Sequence, residues 1–280
     1  MSSLVNLETL YAACKNSYTR LHQGPESCMA IEGFKEVKYE FDEKTHHGAV
    51  SYYNEKTHEL IVAHRGSATL HDWMSTDVKI ALKAKQTPAD LAAVEYTHRL
   101  INEMRQKRQP ISKIYITGHS KGGHEAQVSA VNLIKGIPYS CVTINAPGIN
   151  PKIKKPGVEY NHVNFRVTSL MLGDVVSLAG GKPLGHTANL QLGTNNFAIA
   201  CHTLDAVKKA MDNNKELATM PVDEVIKATR VNLSLTVPAP KPQAPAEGSA
   251  NVPKNDGAMV ANGEANQEAT SKKKSGFRAF

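Results

Sequence analysis

Ser120 stands between two glycines in Gly118-His119-Ser120-Lys121-Gly122, at the seam between an apolar run, "KIYIT" (113–117), and a helix-like segment, "HEAQVSAVNLI" (124–134). A serine on a sharp strand-to-helix turn is placed to act as a nucleophile. The glycines let the backbone fold tightly and leave the hydroxyl exposed. The helix N-terminus behind it favours the negative charge that acyl transfer puts on the substrate oxygen. A bare GxSxG is a weak signal. Such a nucleophile also needs a base, an orienting acid and oxyanion donors.

The acid candidate is Asp174 in "SLMLGDVVSLAG", just beyond an apolar strand and two sheet elements after the elbow. That is its place in the serine–acid–histidine order of elbow-type hydrolases. The base is one of 12 histidines. His124 sits one turn down the elbow helix, too constrained to face the hydroxyl. His119 is inside the elbow, and His162 precedes the acid's strand. His186 and His202 remain. His202, in "FAIACHTLDAVKKAM", opens an amphipathic helix, a place where a ring can be fixed. His186, in the glycine-rich loop "PLGHTANL", stays open as an alternative base or pocket residue.

These residues need a sheet to hold them. "EVKYEF" (36–41), "GAVSYY" (48–53) and "ELIVAHRG" (59–66) read as antiparallel strands joined by hairpins. "TPADLAAVEYTHRLINEMRQKR" (87–108) has helical apolar spacing, with Thr87 or Asp90 as cap. "KIYITG", "YSCVTINAPG" and "HVNFRVTSLMLGD" are further strands. Strand, helix, strand and strand again predict an α/β class with a mostly parallel central sheet flanked by helices, after N-terminal antiparallel strands. No internal repeat is present.

The 280 residues, 41% hydrophobic and 21% charged, suit a globular domain with a real core. The folded domain is expected over 1–236. From 237 to 280 the chain is Pro-, Ala- and Lys-rich with almost no aliphatic periodicity, which predicts a disordered tail. No stretch approaches the roughly 20 apolar residues that span a bilayer. No Sec-type signal opens the chain, so a cytoplasmic location where it is made is expected. Cys14, Cys28, Cys141 and Cys201 lack CxxC spacing, which argues against zinc fingers and disulfide scaffolds and for reduced thiols. The net charge of +7 is spread along the chain without aromatic-interleaved basic motifs, so no nucleic-acid partner is expected.

The segment "IVAHRGSATLHDWMSTDV" (61–78) resembles the class 3, fungal-type lipases of the α/β-hydrolase fold. In them a strand ends in Arg-Gly-Ser or Arg-Gly-Thr and a Trp-x-x-Asp follows. The later motifs keep the family's order: the elbow, Asn145-Ala146-Pro147-Gly148, Gly173-Asp174-Val175-Val176, and Cys201-His202-Thr203-Leu204. The Gly-His-Ser-Lys-Gly-Gly elbow is most similar to a bacterial lipase-like branch. The resemblance covers roughly 45–210. It implies Ser120 as nucleophile, Asp174 as acid, His202 as base, and the backbone N–H groups of Ser67 and Lys121 as oxyanion hole. The family's non-catalytic histidine after the acid fits His186. No metal or organic cofactor is implied.

Ser67 and Ser120 are closer in sequence than in the fungal lipases. The segment after Trp73 carries Val78, Ile80 and Leu82 beside Lys79, Lys83 and Lys85, where a lipase lid is aliphatic. A phospholipid or small ester suits it at least as well as a triacylglycerol, with peripheral contact to an anionic membrane. The tail, closing on Lys272, Lys273, Lys274, Phe277, Arg278 and Phe280, reads as a passive solubilising tail, a weak membrane anchor or a C-terminal export signal, the last pointing to an effector secreted by a Sec-independent route. The expected function is therefore a serine ester hydrolase, a lipase or phospholipase. The alternative is a catalytically silent hydrolase-fold binding protein.

Overall fold

The structure is a computed structural model that describes residues 5–67, 86–169, 173–174, 176–178, 181–193 and 200–231. The segment after Trp73 and the tail fall outside the described residues. The chain divides into a unit Met1–Pro240 and a remainder Lys241–Phe280. All the described residues lie in the first unit.

Seven strands form one sheet in sequence order. β1 (Lys35–Asp42), β2 (His47–Asn54) and β3 (Glu59–His64) pair antiparallel. β3, β4 (Lys113–His119), β5 (Tyr139–Ile144), β6 (His162–Thr168) and β7 (His186–Gln191) pair parallel. β3 is buried along its whole length, as expected of a strand covered on both faces. Its side chains alternate: Leu60 and Val62 join one core cluster, Ile61 and Ala63 the other. The first cluster lies under α2 (Pro88–Gln106) and α3 (Lys121–Val131), which carry Tyr96, Leu100, Ile101, Ala126 and Val128 into it. The second is covered by α1 (Leu7–His22), α4 (Leu204–Asn213), α5 (Lys215–Thr219) and α6 (Val222–Val231).

The predicted class and the antiparallel-to-parallel order are those observed. Thr87 and Asp90 both serve at the start of α2: Thr87 Oγ1 accepts the Asp90 N–H and Asp90 Oδ2 accepts the Thr87 N–H. Several elements go beyond the sequence expectations, α1, β7, α5 and α6 among them. α1 opens on Asn6, whose side chain accepts the Thr9 N–H at 2.9 Å, and buries Leu7, Leu10, Tyr11 and Cys14 at helical spacing. β7 occupies the stretch expected as a glycine-rich loop around His186. The elbow helix begins at Lys121 rather than at His124.

His162, at the start of β6, is fully buried. Its Nδ1 accepts the Gly185 N–H at 2.9 Å and its Nε2 lies 3.1 Å from Thr143 Oγ1. Burial pushes its pKa from 6.5 down to about 3. The unfolded chain therefore binds this proton more readily, and the stability it contributes is complete above pH ~6.5 and lost as pH falls towards 3. His162→Gln should flatten the dependence of unfolding free energy on pH across that window. Urea midpoints measured at several pH values check this, and an unchanged slope would exclude His162 as a source.

Candidate active site

β4 delivers the chain to Ser120, which caps α3 with φ 59° and ψ −128°, a sparsely populated conformation for a non-glycine residue. The turn survives because its neighbours have no side chain. A Cβ on Gly118 would lie 2.3 Å from the Gly122 carbonyl, and one on Gly122 would lie 2.2 Å from the His64 carbonyl oxygen. The second contact also seats the end of β3 on the first turn of α3. The Ser120 N–H donates to the Ile144 carbonyl at 3.1 Å, tying the elbow to β5.

His202 Nε2 lies 2.8 Å from Ser120 Oγ, and His202 Nδ1 lies 2.9 Å from Asp174 Oδ1. Asp174 is fully buried, and its carboxylate also accepts the Val176 N–H at 3.2 Å and the Ser177 N–H at 2.8 Å. An ionised carboxylate only accepts, so Nδ1 carries the proton and Nε2 is left to accept from the serine hydroxyl. His202 closes a 3-10 turn (Ala200–His202) just before α4, whose cap is Thr203. It therefore precedes the helix rather than opening it.

Two groups to which the sequence assigns no role of their own hold this loop. Asn145, at φ 48° after β5, accepts the Val167 N–H at 2.9 Å and donates to the Cys201 carbonyl at 2.9 Å. It thus joins β5, β6 and the His202 loop, a physical reason for an asparagine where the Asn-Ala-Pro-Gly motif begins. His119, a residue of the elbow itself, lies ring against ring with His202, centroids 4.8 Å apart. Burial holds its pKa down to about 3, so it is neutral. Its Nε2 lies 2.7 Å from the His202 carbonyl, an acceptor, which makes Nε2–H the donor. Nδ1 must then accept from the Tyr18 hydroxyl at 3.0 Å. The one sequence signal for Tyr18 is the apolar spacing of α1.

Tyr18→Phe would leave the buried Nδ1 of His119 without a donor. An unfolding free energy lower by ~1–3 kcal/mol is expected from urea titration. No loss would mean that the tyrosine hydroxyl is not its partner.

The other sequence candidates are placed as follows. Lys121 is the first residue of α3, where backbone N–H groups lack intrahelical partners. Its ammonium donates to the His46 carbonyl at 3.1 Å and pairs with Glu125 Oε1 at 2.5 Å. Ser67 is partly buried, three residues beyond β3. His186 pairs with Val163 at the start of β7, three strands from β4, or ~14 Å at ~4.8 Å per strand. The structure does not bring it to Ser120. His124 points away, its Nδ1 3.1 Å from the Gly148 carbonyl and its Nε2 3.5 Å from Asp90 Oδ1.

A sequential, mostly parallel sheet with antiparallel leading strands and a serine elbow after β4 defines the α/β-hydrolase fold. The chain belongs to the Mbeg1-like family, whose model matches residues 31–177. A triacylglycerol lipase from Penicillium expansum is similar over 67% of this chain and 80% of its own, with 20% identity and a TM-score of 0.50. A triacylglycerol lipase described by its serine protease triad gives 66%, 78%, 17% and 0.50 for the same measures. Rhizomucor miehei lipase with its propeptide aligns over 66% of this chain and 67% of its own, at 16% identity and a TM-score of 0.49. At such identities the two likenesses with a TM-score of 0.50 establish the fold alone. No curated protein matches the sequence. Among the described residues no helix is long and apolar enough to cross a membrane.

Proposed function

We propose that this protein is a serine ester hydrolase acting on a lipid, a phospholipid or a smaller ester through Ser120, His202 and Asp174. The observation that carries the reading is the continuous chain from Ser120 Oγ through both nitrogens of one imidazole to a buried carboxylate, 2.8 and 2.9 Å long. His202 Nε2 takes the hydroxyl proton as Oγ attacks the ester carbonyl. Asp174 holds the ring and balances the imidazolium. The oxyanion sits between the Ser67 and Lys121 backbone N–H groups, each such donor contributing roughly 3 kcal/mol. His202 then protonates the leaving alcohol and activates the water that hydrolyses the acyl-enzyme.

The triacylglycerol lipases among the structural neighbours support an acyl ester as substrate class. The basic composition of the segment carrying Lys79, Lys83 and Lys85 supports a substrate met at an anionic surface. We assign the chemistry to residues 1–236 and treat 237–280 as a separate tail. His186 is left outside the catalytic set.

A fluorophosphonate probe should label the native chain and not Ser120→Ala, and a panel of short and long acyl esters and phospholipids should yield at least one substrate. Absence of both labelling and turnover would favour the silent binding protein.

A further inference from the structure

We propose that His47, His64 and Glu125 form a binding site for a divalent transition-metal ion of the zinc type, beneath the serine elbow and independent of the reaction proposed above. His47 starts β2, His64 ends β3, and Glu125 lies on the first turns of α3. Their exposures are 1%, 0% and 0%. One ligand atom from each lies within 4.8 Å of the others.

Glu125 lacks the partners that burial ordinarily brings. Among the described residues its Oε2 is buried with no hydrogen-bond partner, an arrangement that costs free energy unless something fills it. Glu125 Oε1 faces the Lys121 ammonium at 2.5 Å, which leaves Oε2 for a further cation. The Lys121 ammonium also donates to the His46 carbonyl at 3.1 Å.

The donor set suits a borderline cation. Two neutral imidazoles and one carboxylate are a known zinc set, with nitrogen at about 2.0–2.1 Å from the metal. Two such nitrogens on a tetrahedral ion stand ~3.3 Å apart, and His47 Nε2 and His64 Nδ1 stand 3.1 Å apart. Because the three residues come from β2, β3 and α3, a bound ion would clamp the first turn of the elbow helix to the sheet.

The test uses the full chain, stripped with a chelator and dialysed. Zinc chloride titrated into it should bind at about one equivalent and raise the melting temperature. Cobalt(II) should give tetrahedral visible bands without a thiolate charge-transfer band. His47→Ala and Glu125→Gln, confirmed as folded by circular dichroism, should each weaken zinc binding at least about tenfold, the least that loss of even an outer partner costs. No saturable binding of either ion overturns the proposal, as does binding undiminished in both variants. Should a variant fail to fold, the cobalt spectrum of the unmutated chain decides. A thiolate band there places the ion on a cysteine and overturns the proposal.

Discussion

Ser120→Ala, His202→Ala and the double variant should all lower turnover of a soluble ester by about the same factor, on the order of 10⁶. With the serine gone there is no hydroxyl for Nε2 to deprotonate. With the imidazole gone, the hydroxyl loses its 2.8 Å contact to Nε2, the base that serves it among the described residues. Either loss removes the same step, so the second adds little. Asp174→Asn should cost less, on the order of 10⁴. An asparagine amide facing Nδ1 at 2.9 Å would donate to it, moving the ring proton to Nε2, where it blocks the serine. Steady-state kinetics on the three singles and the double check this. Fully additive effects, or a His202→Ala variant near full activity, would refute the assignment of the base.

Gly122→Ala should destabilise the protein by more than ~3 kcal/mol, beyond the usual range for one added methyl in a packed site. On an open helix this change would gain up to ~1 kcal/mol from helix propensity. Here the new Cβ would stand 2.2 Å from the His64 carbonyl oxygen and 2.7 Å from the Arg65 carbonyl carbon. Those atoms are backbone at the end of β3 and cannot turn aside as a side chain would, so the clash outweighs the propensity. Gly136→Ala is the comparison: its φ is +90° but nothing lies within 4 Å, so only the backbone penalty applies. Urea midpoints of both variants decide the matter. Equal, small losses would show that β3 does not press on the elbow.

Much of this architecture is written locally. The alternation in β3, the turn glycines of the elbow and the capping pair Thr87 and Asp90 each follow from a few neighbouring residues, because backbone sterics and burial of one face act over short spans. α1 is equally local, with Asn6 as cap and Leu7, Leu10, Tyr11 and Cys14 at helical spacing. It carries no chemistry-bearing motif, so a reading led by catalytic residues does not reach it. The candidates for the proposed acyl transfer, Ser120, Asp174 and either His186 or His202, are nameable from type and order alone.

The choice among histidines is different in kind. Position along the chain leaves His186 and His202 both open, since chain order says nothing of which strand lies beside which. Strand order in the sheet separates them: β7 carries His186 three places from β4, whereas the loop before α4 returns His202 to Ser120 across 82 residues. The groups that fix this loop, Asn145, His119 and Tyr18, act through contacts between elements distant in sequence, such as the 101 residues between Tyr18 and His119. The same holds for His47, His64 and Glu125, unremarkable apart and buried together only when β2, β3 and α3 close on one another. Residue types and short-range periodicity determined what the chain could do chemically. Which atoms meet was decided by long-range packing of the sheet, because a hydrogen bond needs its partners within about 3 Å and no local pattern carries that information.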